Sequence, residues 1–429
     1  MKRPWAAAAS TAALTSLLFI VVYNVCNRLT HLRPDVGVWA FAWERYWPVV
    51  PVMIIPYWSI DFFFVISPFF CATREEVAIH RRRIVFVIIA GALGFLLIPL
   101  RFAFPRPHIT GSLAPWFAAL YSFDYPHNLF PSLHIALRTL LTHLYAQKTR
   151  GLWNWLVHGW FSLVGLSTLL TWQHHIVDVF GGFWIAAIAL HLFTFHTPLP
   201  QPAANRPVAV FYSVAAIACS QLARLSWPWT FLFVWPMFAL GTAAFGYAGY
   251  GSIYRKRDGR LTRATWVLFA PLLAGQRLSW RYYRRRSTAW SEVTPRVWVG
   301  ALLVEEEARA AIRAGVTAVL DLTVEFSEAK AFCGIRYLHL PVLDLTAPSP
   351  GQFADAVAFI ERETPAGVVY VHCKAGYSRS AGVVVAWLLA THRATSPEDA
   401  FDQLRRMRPS IVIRPEIRLA IRDFQSSLS

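Results

Sequence analysis

The run Val371-His372-Cys373-Lys374-Ala375-Gly376-Tyr377-Ser378-Arg379-Ser380 places a thiol and a guanidinium with five residues between them, after a strand-like apolar stretch and at the start of a helix-like one. A loop that leaves a strand and opens a helix turns successive backbone N–H groups towards one point, which is where an anion binds. Cys373 would lie beneath a bound phosphorus as a thiolate, while Arg379 grips two equatorial oxygens as a bidentate fork. The helix amino terminus and Arg379 both favour the ionised thiol, which is the nucleophilic form. The chemistry is displacement at a phosphate ester, with phosphorus passing to sulfur.

Such a displacement needs a proton for the leaving oxygen, and Leu340-Pro341-Val342-Leu343-Asp344 offers a carboxyl 29 positions before Cys373. Together these residues resemble the signature of the Cys-based dual-specificity protein tyrosine phosphatases, over roughly residues 291 to 429. The resemblance implies Cys373 as nucleophile and Arg379 as the group that binds substrate and transition state. It also implies Ser380 as the hydroxyl that helps the thiolate leave, and Asp344 as general acid and then general base. His372 is expected to orient the loop and tune the thiol, with Lys374, Ala375, Gly376, Tyr377 and Ser378 completing the phosphate cradle. The run His-Cys-Lys-Ala-Gly is similar to the mitochondrial phosphatidylglycerophosphate phosphatase branch and to phosphoinositide phosphatases. That similarity implies an anionic lipid headgroup or inositol phosphate as substrate, and leaves phosphotyrosine open.

A second constellation lies in apolar sequence. Phe130-Pro131-Ser132-Leu133-His134 opens one apolar segment, and Gln173-His174-His175-Ile176-Val177-Asp178 opens another. His174 and Asp178 are four apart, so on a helix they share a side and the carboxylate can fix the imidazole tautomer for attack on phosphorus. His134 is placed to protonate a leaving oxygen, and Arg101 and Arg106 to hold phosphate. These residues resemble the type 2 phosphatidic acid phosphatase superfamily over about residues 50–196, and the Ser-Thr-Leu-Leu-Thr-Trp-Gln-His run is similar to its inositol phosphorylceramide and sphingomyelin synthase relatives. Pro99 stands where the phosphatase pattern has a Lys, and Thr168 where it has an Arg, which weakens the phosphate grip.

The elements that must position these groups are of two kinds. The chain of 429 residues is 56% hydrophobic, too apolar for an ordinary soluble protein. Stretches long enough to cross a bilayer are expected near 11–29, 47–70, 84–100, 129–146, 152–171, 176–196, 208–223 and 228–248. Lys2/Arg3, Arg74 to Arg83, Lys148/Arg150, Arg206 and the Arg255 to Arg286 run alternate with less basic connections, which predicts both termini in the cytoplasm, at a bacterial inner membrane. The net charge of +17 is confined to this part. Residues 291–429 carry 15 Lys+Arg against 16 Asp+Glu, leaving 26 against 8 for residues 1–290. Ten basic residues lie between Arg255 and Arg286, a collar for anionic lipid rather than for nucleic acid. Trp266 to Leu273 is too short to span and reads as an interfacial helix. Five scattered cysteines argue for neither a disulfide framework nor a metal site, and no cofactor is expected.

From Val297 the pattern changes to alternating strands (297–300, 316–322, 335–341, 368–371) and helices (304–314, 351–363, 379–392, 397–407, 415–426), after a linker at 287–295. The fold expected is a polytopic α-helical membrane domain over 1–250, a basic juxtamembrane segment over 251–290, and an α/β dual-specificity phosphatase domain over 291–429 with a central, mostly parallel sheet. The function expected is a membrane-bound phosphoric monoester hydrolase acting on a phospholipid or other anionic phosphomonoester, with a second, His-based phosphotransfer site. Its partners are membrane lipids and a phospholipid or phosphoprotein substrate. The rivals are a membrane-anchored protein phosphatase, and a lipid headgroup transferase or non-catalytic scaffold.

Overall fold

The computed structural model describes residues 3–194 and 203–427. Lys2, the end of the expected 176–196 span and residues 428–429 lie outside them. The chain forms two compact units, Met1–His196 and Thr197–Ser429.

The first unit is helical: α1 (Trp5–His31), α2 (Ile54–Ile66), α3 (Arg74–Leu97), α4 (Ala114–Phe123), α5 (Leu133–Lys148), α6 (Leu152–Leu170) and α7 (Ile176–Leu192). Ile84, Val87, Ile88, Leu137, Leu141, Phe161 and Val164 interlock where α3, α5 and α6 meet, with Ala186 and Ala189 giving α7 close approach. Thr73 caps α3, its hydroxyl accepting from Glu76 N–H, and Ser132 caps α5 at Ile135 N–H.

In the second unit, α8 (Arg206–Leu225) and α9 (Thr230–Tyr247) form an antiparallel hairpin, followed by a two-residue ribbon, β1 (Lys256–Arg257) and β2 (Arg260–Leu261), and by α10 (Arg263–Arg284). Among the described residues, four of the eight spans expected fall on helices long and apolar enough to cross a membrane: Trp5–His31, Pro51–Phe70, Arg206–Leu225 and Thr230–Tyr247. The others fall on helices that are shorter, more charged or less apolar; α3, for example, opens with Arg74, Glu75 and Glu76 and carries Arg81 to Arg83. The α8–α9 hairpin groups with the tail, not with the helices before it.

The interfacial helix expected at 266–273 is the first part of α10, which runs on to Arg284 through a kink at Phe269. Pro271 has no N–H to give the carbonyl of Val267 one turn back. Trp235 of α9 supplies it instead, Nε1 donating to Val267 O (2.9 Å) and Leu268 O (3.0 Å).

The remaining chain builds a five-stranded mixed sheet in the order β3-β4-β7-β5-β6, from β3 (Trp290–Thr294), β4 (Val297–Ala301), β5 (Val316–Thr323), β6 (Arg336–Val342) and β7 (Val368–Cys373). Four of these strands pair in parallel, and β3, which occupies the stretch expected as linker, adds antiparallel to β4. The helices α11 (Glu305–Arg313), α12 (Pro350–Glu363), α13 (Arg379–Ala390), α14 (Pro397–Met407) and α15 (Pro415–Ser426) surround it. Strand β7 is buried along its whole length, as its unbroken apolar run requires of a central parallel strand. One face packs Val369, Val371 and Val299 against Phe353, Val384 and Ile421, the other packs Tyr370 and Val319 against Phe332.

Lys256 fastens the ribbon to this sheet. Its buried ammonium pairs with Asp321 on β5 and donates to Thr323 O (3.1 Å) and Oγ1 (3.2 Å). Burial would raise the Asp321 carboxyl, but Lys256, with His372 and His339, outweighs it and holds the group well below the usual carboxylate range. The folded pKa is thus depressed, so this stabilisation is present above the ordinary Asp range and is lost as pH falls. Removing one member of a buried ion pair leaves the other charge uncompensated, so Lys256→Met should cost about 3–5 kcal/mol of unfolding free energy. Denaturant titration of the full chain at neutral pH measures it, and the loss should shrink when Asp321→Asn is made in the same chain.

Candidate active site

The nucleophile loop is the turn between β7 and α13, and the sheet fixes its origin. Cys373 ends β7 opposite Ala301 of β4, and Arg379 opens α13. Alternation along a strand sends neighbouring side chains to opposite faces, and here it separates Cys373 from His372. The thiol turns towards the loop, its Sγ 3.3 Å from Ser380 Oγ. The His372 ring turns to the other face, where Nε2 lies 2.7 Å from Glu328 Oε2 and 3.8 Å from Asp321 Oδ1. His372, expected to orient the loop and tune the thiol, therefore stands behind the loop with a carboxylate as its ring's partner. Burial alone would lower the His372 pKa, yet Glu328 and Asp321 outweigh it and raise it. Asp321, Glu328 and His372 bring three potential metal-ligating atoms together, and Lys256 already supplies positive charge to that cluster.

Gly376 makes the turn with φ +71°, and a Cβ there would lie 2.6 Å from the Gly300 carbonyl carbon, so the loop's tightness needs glycine. Arg408, fully buried after α14, takes the loop carbonyls from outside: Nε donates to Gly376 O (2.9 Å) and Nη2 to Ala375 O (3.5 Å). With those carbonyls tied outward, the Gly376 and Ser380 N–H groups serve the thiol. Burial would raise the Cys373 pKa, but Arg379, the Ser380 hydroxyl and these N–H groups prevail and lower it.

Arg379 is held on every side. Its Nη2 lies 2.7 Å from Glu325 Oε1 and 3.2 Å from Asp344 Oδ1, and its Nη1 donates to Val342 O (2.7 Å) and Glu325 Oε2 (3.3 Å). Asp344 is also paired with Lys374, whose ammonium donates further to Gln276 Oε1 (3.0 Å) and Ser279 Oγ (3.3 Å) of α10. Burial raises Asp344, and the two cations overcome it and keep the carboxyl below its usual range. Tyr377 donates its hydroxyl to Tyr283 O (3.3 Å) at the end of α10.

The structure thus brings Cys373, Arg379, Asp344, Ser380 and Lys374 to one place. Sequence reasoning missed Glu325, Arg408, Gln276, Ser279 and the Lys256–Asp321 pair. A carboxylate for an obligately buried Arg379 could have been sought among the acids of 321–328; the α10 residues carry no motif.

The apolar constellation is assembled differently. His174 and Arg106 line one small polar cavity with Tyr23, Asp124 and Gln173. His174 Nδ1 lies 3.5 Å from Asp178 Oδ2, beyond a good hydrogen bond, and Asp178 instead accepts from His175 N–H (2.8 Å). His175 is the histidine with a tight carboxylate: Nδ1 is 2.8 Å from Glu44 Oε2, and Nε2 accepts from Ala103 N–H (3.0 Å). His134 is half-buried against Tyr57, the rings stacked at 4.2 Å. Arg106 is spent on the Asp124 carbonyl and the Tyr121 ring. The Arg101 side chain is exposed and is absent from the residues lining that cavity.

The family "Dual specificity phosphatase, catalytic domain" matches residues 303–427. The human protein "Phosphatidylglycerophosphatase and protein-tyrosine phosphatase 1" is 30% identical over 176 residues, covering 38% of this chain and 87% of that protein. The chain belongs to the dual-specificity phosphatase family. It is a Cys-dependent dual-specificity-type phosphatase. The Arabidopsis thaliana protein "Phosphatidylglycerophosphate phosphatase PTPMT2" is 30% identical over 33% of this chain and 65% of its own length. Mouse "Dual specificity protein phosphatase 12" is 38% identical over 28% of this chain and 36% of its own length. Among solved structures, that of PTPMT1 in complex with PI(5)P aligns at 27% identity over 33% of this chain and 97% of that one, with a TM-score of 0.31. The dual-specificity phosphatase match begins after β4, so α8, α9 and α10 lie outside it.

If Arg379 and the loop N–H groups depress the thiol, the rate of Cys373 alkylation by iodoacetamide, followed by peptide mass spectrometry, should rise with pH to a midpoint below 9.0. Arg379→Met should move that midpoint upward. A wild-type midpoint at or above 9.0 would contradict the electrostatics described.

Proposed function

We propose that this phosphatase hydrolyses a phospholipid or other anionic phosphomonoester presented by a membrane, through a cysteinyl-phosphate intermediate on Cys373. The observation that carries the lipid reading is the bond from Asn205 Nδ2, at the base of the α8–α9 hairpin, to the carbonyl of Leu345 (2.7 Å), the residue after Asp344. A phosphate in this site lies at the end of two apolar helices whose outer faces expose Val210, Phe211, Val214, Ile217 and Phe245. The names of the human and Arabidopsis relatives point to a lipid phosphomonoester as well.

In the reaction the Cys373 thiolate attacks phosphorus, the P–S bond forms, and the ester P–O bond breaks. Arg379, Lys374 and the backbone N–H groups of residues 375–378 hold the equatorial oxygens. Asp344 gives the leaving oxygen its proton. In the empty site Asp344 is ionised because it neutralises Lys374 and Arg379. An arriving phosphate dianion takes both cations, and the buried carboxyl, stripped of them, rises in pKa and loads its proton. Asp344 then removes a proton from water, which attacks phosphorus; the P–S bond breaks, Ser380 hydrogen-bonds the departing thiolate, and inorganic phosphate leaves.

We read residues 1–250 as the membrane domain, 251–290 as the juxtamembrane segment and 291–429 as the catalytic domain, with both termini cytoplasmic at a bacterial inner membrane. The basic collar supports this orientation, as does the reducing compartment a thiolate needs. A second, His-based phosphotransfer site around His174, with Asp178, His134, Arg106 and Arg101, is supported by the cavity that His174 and Arg106 share. His174→Ala should then remove one phospholipid species from whole-cell lipid profiles without altering Cys373-dependent turnover. An unchanged profile overturns that second site.

The primary reading is tested with full-length protein in mixed micelles. A lipid phosphomonoester should be turned over with kcat/KM at least about tenfold above a phosphotyrosine peptide, and Cys373→Ser should abolish both, as loss of a covalent nucleophile does. Preference for the peptide would make the chain a membrane-anchored protein phosphatase.

A further inference from the structure

A general acid must touch the leaving oxygen, so whatever surrounds Asp344 surrounds the leaving group. Asp344 is paired with Lys374 and Arg379 of the family domain, and beyond Lys374 stand residues that the family domain does not contain. Gln276, Ser279 and Tyr283 follow at intervals of three and four along α10 and so lie on one side of it. Gln276 Oε1 and Ser279 Oγ meet the Lys374 ammonium at 3.0 and 3.3 Å, on the same nitrogen that holds Asp344. Tyr283 closes the row at the loop, its ring edge-on to Tyr377 with centroids 5.7 Å apart. From the hairpin, Tyr212 reaches Gln276, and Tyr212 and Tyr247, stacked 5.4 Å apart, lie within electrostatic reach of Asp344. Asn205 binds the Leu345 carbonyl, and Leu345 itself is held at φ +61°, so the acid-bearing turn is fixed by the hairpin end.

We propose that Gln276 and Ser279 of α10 form a leaving-group subsite that selects phosphomonoesters bearing a free hydroxyl next to the ester, a polyol headgroup on a lipid. This rests on the lipid reading above and makes it specific. Substrate phosphate draws Lys374 to itself, and the amide and hydroxyl it releases need new partners in a site walled by tyrosines. A polyol supplies them. The ring of a tyrosine ester and the ester-masked glycerol of phosphatidic acid do not, and leave Gln276 Oε1 and Ser279 Oγ without the donor that Lys374 had been, which is how a hydrogen-bonding site disfavours a substrate lacking the hydroxyl.

The test uses the full chain in mixed micelles with three substrates: a lipid whose phosphorylated headgroup is glycerol, phosphatidic acid, and an aryl phosphate. The wild-type protein should prefer the glycerol headgroup over phosphatidic acid by kcat/KM. In Gln276→Ala/Ser279→Ala that ratio should fall at least about tenfold, each lost hydrogen bond accounting for a factor of a few. Ser279→Ala alone, which removes one oxygen, should lower it by about threefold. Aryl phosphate turnover in the same preparations reports that the Cys373 site is folded. Equal losses on all three substrates would overturn the subsite and reduce Gln276 and Ser279 to props for Lys374. A wild-type protein that turns over aryl phosphate but neither lipid sinks the lipid reading itself, a result visible before any substitution is made.

Discussion

A guanidinium that is fully buried and fixed by two carboxylates is the constraint around which the catalytic domain is organised. Arg379 cannot sit beside Cys373 unless its charge is met. Glu325 meets it permanently, in a near-bidentate pair, and Asp344 meets it in the absence of substrate. Burying such a charge without partners would cost several kcal/mol, so the positions of β5, β6 and α13 are tied together by this one group. The thiol benefits because the same cation lowers its pKa. The division of labour follows from geometry: one carboxylate orients the arginine, and the other is released when a dianion arrives.

A second ionic layer lies behind the loop. Lys256, Asp321, His372 and Glu328 form a buried cluster on the face of the sheet opposite the thiol, and Lys256 belongs to the ribbon that follows the apolar hairpin. Arg408 holds the loop from a third direction. The loop is therefore fixed by groups from α10, the ribbon, β5 and the residue after α14, those of α10 and the ribbon lying outside the matched family domain. That is a physical reason for the hairpin and the catalytic domain to fall into one compact unit.

Much of this was legible from residue order. The unbroken apolar run 368–371 read correctly as a buried strand, and the helices on either side of it were bounded within a residue or two because Ser349, Ser396 and the prolines after them are strong start signals. Strand β3 was missed because Trp290–Thr294 is short and sits beside Pro295, where turn signals dominate. The partners of the site were harder. A motif announces Cys373 and Arg379, but Glu325 and Arg408 are identifiable only once the sheet brings them near, and Gln276 and Ser279 have no sequence signature. His372 adjoins the nucleophile in sequence, but strand alternation sends its ring to the other face, towards Glu328. In the apolar helices the spacing of His174 and Asp178 suggested a pair, but a carboxylate from distant Glu44 chose His175.

Catalysis at this site requires phosphorus to pass to one sulfur atom. Rapid acid quench of the full-length protein during turnover of a radiolabelled phosphomonoester, followed by peptide mapping, tests that directly. Label should appear on the peptide carrying Cys373 as an acid-stable, iodine-labile thiophosphate adduct, and should accumulate in Asp344→Asn when an aryl phosphate with a good leaving group is used. Steady turnover with no label on that peptide would contradict the account.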